Sequence, residues 1–242
     1  MSIQKTLHSG YAKYIGIEML TKIKTFLNNP RFVLSLVLNK NRNWVKDSSI
    51  NVRKYSSYDE YVRHQVEKSN IMGGKFINDI DDFEIELKDR LICDKIDFKG
   101  KSVLCLGARF GQEVRAFNSL GCFSVGVDLN PGVKNGNVLI GDFHNLIWGD
   151  SCIDIIYTNS LDHSFDLKKV LNEIKRVLKN DGIFVVELNA GSKEGYKFKY
   201  YESISWDNMN DILLIFSEAG FKIMESSVID DLNMHYVMRV EK

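Results

Sequence analysis

Proline is scarce in this chain of 242 residues: only Pro30 and Pro131 occur, which excludes collagen-like and proline-rich linker architectures. Neither sign of charge is in excess, with 32 Lys+Arg against 32 Asp+Glu, so a uniformly basic nucleic-acid binder is excluded and no nucleic-acid partner is expected. Long apolar runs are missing. The most apolar early stretch, Phe32 to Leu38, lies between Arg31 and Lys40 and falls far short of the ~20 residues that cross a bilayer. The opening residues lack the apolar centre and small-residue cleavage site of a secretory signal. The four cysteines, Cys93, Cys105, Cys122 and Cys152, form no C-x-x-C pair, and three sit in apolar strand-like surroundings. Buried free thiols in a reducing cytoplasm are therefore expected. No His/Cys pair has ligand spacing, so no metal site is expected, and the Gly-x-Ser-x-Gly of a nucleophile elbow is absent.

What is present suits a soluble globular protein: 44% hydrophobic and 26% charged residues, in a chain long enough to bury a sizeable core. The charge is unevenly placed. Residues 1–50 hold eight basic side chains against Glu18 and Asp47, a net of +6 that the rest of the chain balances. Two segments follow from this: a basic helical extension over 1–50 and a larger domain over 51–242. Tyr14, Ile17, Leu20, Ile23 and Leu27 recur at helical spacing within 11–38, and Pro30 interrupts them. This arm is expected to contact an anionic membrane surface or a protein partner, or to add a helical layer. The polar stretch 39–57 reads as a linker. Ser57 with Glu60 has capping-box spacing for a helix start, and 81–91 reads as another helix.

Beyond Gly100 short apolar runs alternate with helical patterns. Strands are expected at Val103–Leu106, Phe123–Val127, Val138–Ile140, Ile153–Tyr157 and Ile183–Leu188, with helices at Gln112–Leu120, Leu167–Leu178 and Trp206–Ala219. Near-continuous apolar strands between helices indicate a parallel sheet covered on both faces. The last two strands, Phe221–Val228 and His235–Val240, are joined by six residues, too few for a parallel crossover, so they must pair antiparallel.

The sharpest local signal is Val103-Leu-Cys-Leu-Gly107-Ala-Arg-Phe-Gly111, a strand ending in a glycine loop that opens a helix. Glycine there permits a tight turn and close approach of backbone to ligand, and the helix start supplies free N–H groups. Asp128 follows Gly107 by 21 positions at the tip of the next strand, where a carboxylate can accept both hydroxyls of a ribose. Dinucleotides and S-adenosylmethionine both use this arrangement. The G-x-G-x-x-G of dinucleotide sites is absent, since position 109 is Arg, and the terminal hairpin also argues against a dehydrogenase.

At these residues the sequence resembles the class I S-adenosylmethionine-dependent methyltransferases, of the type 11-like kind, over roughly 57–242 and most clearly over 101–188. Val103–Gly111, Val125-Gly-Val-Asp128-Leu-Asn, Ile140-Gly-Asp142-Phe143, Asp154-Ile-Ile-Tyr-Thr-Asn159 and Leu178-Lys-Asn-Asp-Gly182 are the matching segments. The resemblance implies an α/β fold, a Rossmann-like doubly wound seven-stranded sheet with a C-terminal antiparallel hairpin. It implies S-adenosylmethionine as cofactor, held by Gly107, Ala108, Arg109, Gly111, Asp128, Leu129, Asp142, Phe143 and Asn159. Asp128 would take the ribose and Asp142 the adenine amino group. The family usually has an acid where Cys105 stands and a small residue where Arg109 stands. These departures keep open the alternative of a non-catalytic binding or scaffold domain on the same fold.

Transfer of a methyl group is an in-line displacement, in which the enzyme mainly positions donor and acceptor and, for O- or N-acceptors, supplies a base. His163, after the fourth strand, is the candidate base, against the blander role of a loop histidine. His144 reads as structural. Tyr61 and His64 lie on a helix that either closes over the cofactor or packs inward. Residues 189–205 interleave Tyr196, Tyr200 and Tyr201 with Lys193, Lys197 and Lys199, either to bind an acceptor or as a solvated loop. The expected reaction is O-methylation of a small-molecule or glycan-like acceptor.

Overall fold

The structure is a computed structural model that describes residues 44–72, 80–131 and 136–241. Contacts divide the chain into Met1–Trp44 and Val45–Lys242. The helix expected within 11–38, and most of the basic extension, lie outside the described residues. In chain order the elements are Trp44–Asp47 (β1), Ile50–Arg53 (β2), Tyr58–Met72 (α1), Ile80–Cys93 (α2), Ser102–Leu106 (β3), Gln112–Ser119 (α3), Phe123–Asp128 (β4), Val138–Ile140 (β5) and Ile153–Thr158 (β6). After a short 3₁₀ turn, Leu161–His163, come Leu167–Val177 (α4), Leu178–Asn189 (β7), Ile204–Trp206 (β8), Met209–Glu218 (α5), Phe221–Asp230 (β9) and Asn233–Val240 (β10).

Alternation along the strands builds two hydrophobic layers. In β3, Val103 and Cys105 join Leu87 and Leu91 of α2 and Val114 and Phe117 of α3. Leu104 and Leu106 point the other way, to Val170, Leu171 and Ile174 of α4. β6 and β7 repeat the division, with Ile155, Tyr157 and Val185 on the first face and Ile156, Phe184 and Val186 on the second. Apolar side chains on both faces are what a sheet buried on both sides requires. Helix α4 presents its buried residues at three- and four-residue spacing, and Asp166 caps it by accepting the N–H of Lys169 at 3.0 Å.

The seven-stranded sheet has the order β5-β4-β3-β6-β7-β10-β9. Pairs among β3 to β7 are parallel, and β10 runs antiparallel to both β7 and β9. The chain steps outward from β3 to β5, then returns to the other side of β3 as β6. A crevice opens at the carboxyl ends of such neighbours, where open α/β sheets bind ligands.

Three local expectations are corrected. The stretch read as a linker holds β1 and β2, and β2 pairs antiparallel with β8, Ile50 opposite Trp206. Strands of four residues are too short to show alternation. Trp206, expected to open a helix, is a buried strand residue whose indole donates to the Asn189 carbonyl at 3.0 Å; the helix starts at Met209 instead. Strand β7 starts at Leu178 rather than at Ile183. Its register against β6 passes from Ile153–Leu178 to Ile155–Ile183, so Asn180-Asp181-Gly182 is an outward bulge within the strand. At the start of α1, Ser57 accepts the N–H of Glu60 at 3.2 Å, but the Glu60 carboxylate takes the N–H of Ser56 rather than that of Ser57. Of the cysteines, Cys105 and Cys122 are buried while Cys93 and Cys152 are exposed, and all four are free.

Candidate active site

A cleft of about 520 Å³, counted to its open mouth, lies at the carboxyl edge of β3, β4 and β6. Gly107, Arg109, Asp128, Leu129, Asn130, Phe143, Ser160 and His163 line it from the sheet side, and Tyr61, Gln65 and Lys68 line it from α1. Gly107 has φ 72°, and a Cβ there would lie 2.7 Å from the Cβ of Ser160, so the loops after β3 and β6 meet almost backbone to backbone. Arg109 follows with φ 20°, and its guanidinium lies 4.8 Å from the centre of the Phe110 ring. Ala108 and Gly111 stand behind this wall: Ala108 is buried against Gly126, and Gly111 forms the N-cap of α3.

Asp128 ends β4. Its Oδ1 accepts the N–H of Asn130 at 2.7 Å and its Oδ2 the N–H of Arg109 at 3.2 Å. A carboxylate has about four lone-pair positions, so capacity remains toward the cleft. Burial raises its pKa, against the opposing pull of those two N–H groups and of the charges of Arg109 and Lys68. Leu129 and Phe143 give the adjoining wall an apolar character. A half-satisfied carboxylate beside apolar walls at a parallel-sheet edge is the chemistry an adenosine group requires, so these residues fit one.

Asp142 is committed within the protein. Tyr58 donates its hydroxyl to Oδ2, while Oδ1 accepts the N–H of His144 at 2.8 Å and faces its ring Nδ1 at 2.7 Å. Nε2 of His144 accepts the N–H groups of Phe165 and Asp166 at 3.0 and 3.3 Å, which places the ring proton on Nδ1. Burial opposes the charge on Asp142, but the His144 and Tyr58 bonds hold its pKa below the usual carboxylate range. Thus Asp142 and the buried His144 fasten α1 to the loop after β5. Asn159 accepts the Ser160 hydroxyl at 3.0 Å, and Ser160, not Asn159, lines the cleft.

His163 faces the cleft with both ring nitrogens engaged. Nδ1 lies 2.8 Å from the carbonyl of Tyr201, which can only accept, so Nδ1 carries the proton. Nε2 is then an acceptor, and the Nζ of Lys68 lies 2.6 Å from it. Burial and then the charge of Lys68 push the His163 pKa well below the ordinary histidine range. The nitrogen that a base role requires is occupied by a lysine. Behind it, buried Asp162 is pushed up to about 6 by burial, and Glu202 to about 7 by burial and by Asp162.

The segment 189–205 folds back on α1 and does not line the cleft. Tyr201 stacks on His64, with ring centres 5.2 Å apart, and Gln65 donates to the Tyr201 carbonyl at 2.9 Å. Tyr55 bridges His64 Nδ1 and the Ser203 hydroxyl at 2.9 and 2.8 Å. His64 is held here, away from the cleft, while Tyr61 is buried along it. Lys193, Lys197 and Lys199 are exposed. Gln65, Lys68, Asn130 and Ser160 were not singled out by sequence reasoning. The spacing of Tyr61, Gln65 and Lys68 on one helical face was the available signal for two of them. Among the described residues no group of three His, Cys, Asp or Glu is placed to hold a metal ion.

Known proteins share this fold. Residues 104–186 match the family model described as "Methyltransferase domain". No curated protein sequence matches the chain. Among solved structures, a chain of the complex between the Haloferax volcanii Trm112 methyltransferase activator and a methyltransferase is similar at 18% identity and TM-score 0.61. The match covers 77% of this chain and 100% of that one. The Burkholderia thailandensis 1,6-didemethyltoxoflavin-N1-methyltransferase, solved with 1,6-didemethyltoxoflavin and S-adenosylhomocysteine, is 16% identical with TM-score 0.60, covering 83% of this chain and 100% of that one. A SAM-dependent methyltransferase from Aquifex aeolicus is 17% identical with TM-score 0.54, covering 69% and 98%. The fold is that of the class I S-adenosylmethionine-dependent methyltransferases. Over residues 104–186 the chain is similar to a methyltransferase domain.

Proposed function

We propose that this domain methylates an oxygen of a small-molecule or glycan-like acceptor that enters the cleft beside the cofactor. The observation that carries this reading is Asp128, a carboxylate with unused acceptor capacity at the tip of β4, facing the cleft between Gly107 and Leu129. In this reading Asp128 holds the ribose hydroxyls, Gly107 and the turn to Gly111 face the amino-acid part, and Leu129 and Phe143 flank the base. Asp142, expected at the adenine amino group, acts by holding Tyr58 and His144. S-adenosylmethionine supplies an electrophilic methyl on its sulfonium. The chain's own residues orient acceptor and donor, and α1 covers the site with Tyr61, Gln65 and Lys68. A reducing, cytoplasmic setting is supported by the four free thiols. The basic residues 1–50 are assigned to contact with a protein or an anionic membrane surface.

A second reading, a non-catalytic binding or scaffold domain, is favoured by Cys105, fully buried where the family usually has an acid. Calorimetric titration with S-adenosylmethionine and S-adenosylhomocysteine, alongside Asp128→Ala, separates the two. Micromolar binding that the variant loses supports the enzyme. Folded protein that binds neither ligand at millimolar concentration leaves the scaffold.

A further inference from the structure

The charge of Lys68, inside the cleft, has no task in the reading above. Tyr61, Gln65 and Lys68 form one face of α1, and all three line the cleft. Among the described residues Lys68 hydrogen-bonds only to His163, with Nζ 2.6 Å from Nε2, and has no carboxylate within ion-pair distance. An ammonium has three N–H donors, so two remain. The charged groups that act on it are Asp162 behind His163, Arg109 after β3, Glu202 in the segment before β8, and Asp128 at the end of β4. Burial is the largest influence on Lys68 and works against its charge. A half-buried ammonium without a paired anion is costly, and an anionic ligand removes that cost.

His163 is built to aim this group. Its Nδ1–H is fixed on the Tyr201 carbonyl, so Nε2 can only receive, and it receives from Lys68. The pair lies on the β6 side of the cleft, whereas the ribose-type carboxylate Asp128 closes the β4 side. A sulfonium donor already brings positive charge into this space. A neutral acceptor would leave Lys68 unpaired and, once methylated, would itself carry the positive charge that the sulfonium gives up. An ionised oxygen offsets both and is the more nucleophilic form.

We propose that Lys68 is an anion-binding residue of the acceptor subsite, positioned by His163, and that the acceptor is an acidic hydroxyl or carboxylic acid bound as its oxyanion. This rests on the methyltransferase reading and narrows its substrate class. The acceptor leaves its proton in solvent on binding. The oxyanion's electron pair forms the new O–C bond, the C–S bond breaks toward sulfur, and a neutral thioether is released.

The test uses the full chain, with 4-nitrophenol followed by its phenolate absorbance in buffer below the phenol's own pKa, with and without S-adenosylhomocysteine. Benzoate is measured in parallel by calorimetry. The variants are Lys68→Met and Lys68→Arg, with folding checked by circular dichroism. In the unaltered protein the phenolate band is expected to grow on binding. Lys68→Met weakens both probes by roughly tenfold or more, Lys68→Arg retains most of the binding, and the affinity for S-adenosylhomocysteine changes by less than about threefold. Three results overturn the proposal: neither probe binds the unaltered protein, Lys68→Met binds both unchanged, or Lys68→Met loses S-adenosylhomocysteine instead. The last would assign the cation to the cofactor's own carboxylate. If the unaltered protein binds no S-adenosylhomocysteine, the methyltransferase reading fails, and the titration without it still decides the role of Lys68.

Discussion

Arg90 reaches from α2 to Glu187 on β7 with Nε at 2.9 Å and Nη2 at 3.3 Å, closing a two-pronged ion pair beneath the sheet. Glu187 also accepts the hydroxyl of Tyr157 at 3.0 Å and contacts the ring of His235 at 3.2 Å, whose other nitrogen lies 3.1 Å from Asp94. A histidine between two carboxylates donates from both nitrogens, so it is an imidazolium. Two cations and two anions then balance on the face of the sheet that α2 covers.

Arg90→Met leaves Glu187 buried with one fewer positive partner. We expect a loss of about 3 kcal/mol in urea-induced unfolding, the low end for breaking a buried pair, because Arg90 is partly exposed. Arg90→Lys should recover less than half of that loss, since a single ammonium cannot reproduce the two-pronged contact. Unfolding curves that coincide for all three proteins would show that the pair contributes nothing.

His235 gives the fold a pH dependence. Burial alone would lower its pKa, but the bonds to Asp94 and Glu187 dominate and raise it to about 9. A raised histidine stabilises the fold fully below its unfolded value of about 6.5, and the contribution fades as pH rises toward 9. Unfolding free energy measured from pH 6 to 9 should fall by roughly 3 kcal/mol from this group, and His235→Gln should flatten the slope. An equally steep slope in the variant would assign the effect to other groups.

Glu113 in the first turn of α3 is buried, and its Oε2 has no hydrogen-bond partner. Burial raises its pKa to about 8, so the folded protein carries it as the neutral acid. The unfolded chain gives up that proton from about pH 4.5, so the folded state loses stability from there up to pH 8. Glu113→Gln keeps the shape and removes the titration. It should stabilise the fold at pH 7 by about 2–3 kcal/mol, with the gain vanishing near pH 4, as thermal unfolding at the two pH values would reveal.

Tyr58→Phe removes the hydroxyl that Asp142 and His144 share. The expected cost is about 1–2 kcal/mol of stability, with faster amide exchange along α1. Because α1 carries Tyr61, Gln65 and Lys68 into the cleft, S-adenosylhomocysteine binding should weaken as well. Unchanged exchange in α1 would mean that packing of Tyr61 alone anchors the helix.

Local chemistry made the core of this fold legible in the chain itself. Near-continuous apolar runs marked the central strands, the stripe from Val170 to Val177 marked α4, and the short gap between the last two strands dictated an antiparallel hairpin. The glycine loop and Asp128 were readable because a tight turn and an acid at a strand tip are local requirements. The short strands β1, β2 and β8 were not readable, since β1 and β2 sit in a polar, weakly patterned stretch and β8 adjoins a helical pattern. Nor were the meetings that decide the site. Lys68 and His163 are 95 positions apart, and His235 and Asp94 are 141 apart. Such bonds form only once packing has brought the elements together, and they leave no spacing in the sequence. Whether His163 offers its lone pair to the cleft or to a lysine depends on a carbonyl at Tyr201 and a helix face at Tyr61–Lys68. Only the tertiary structure places these around one ring.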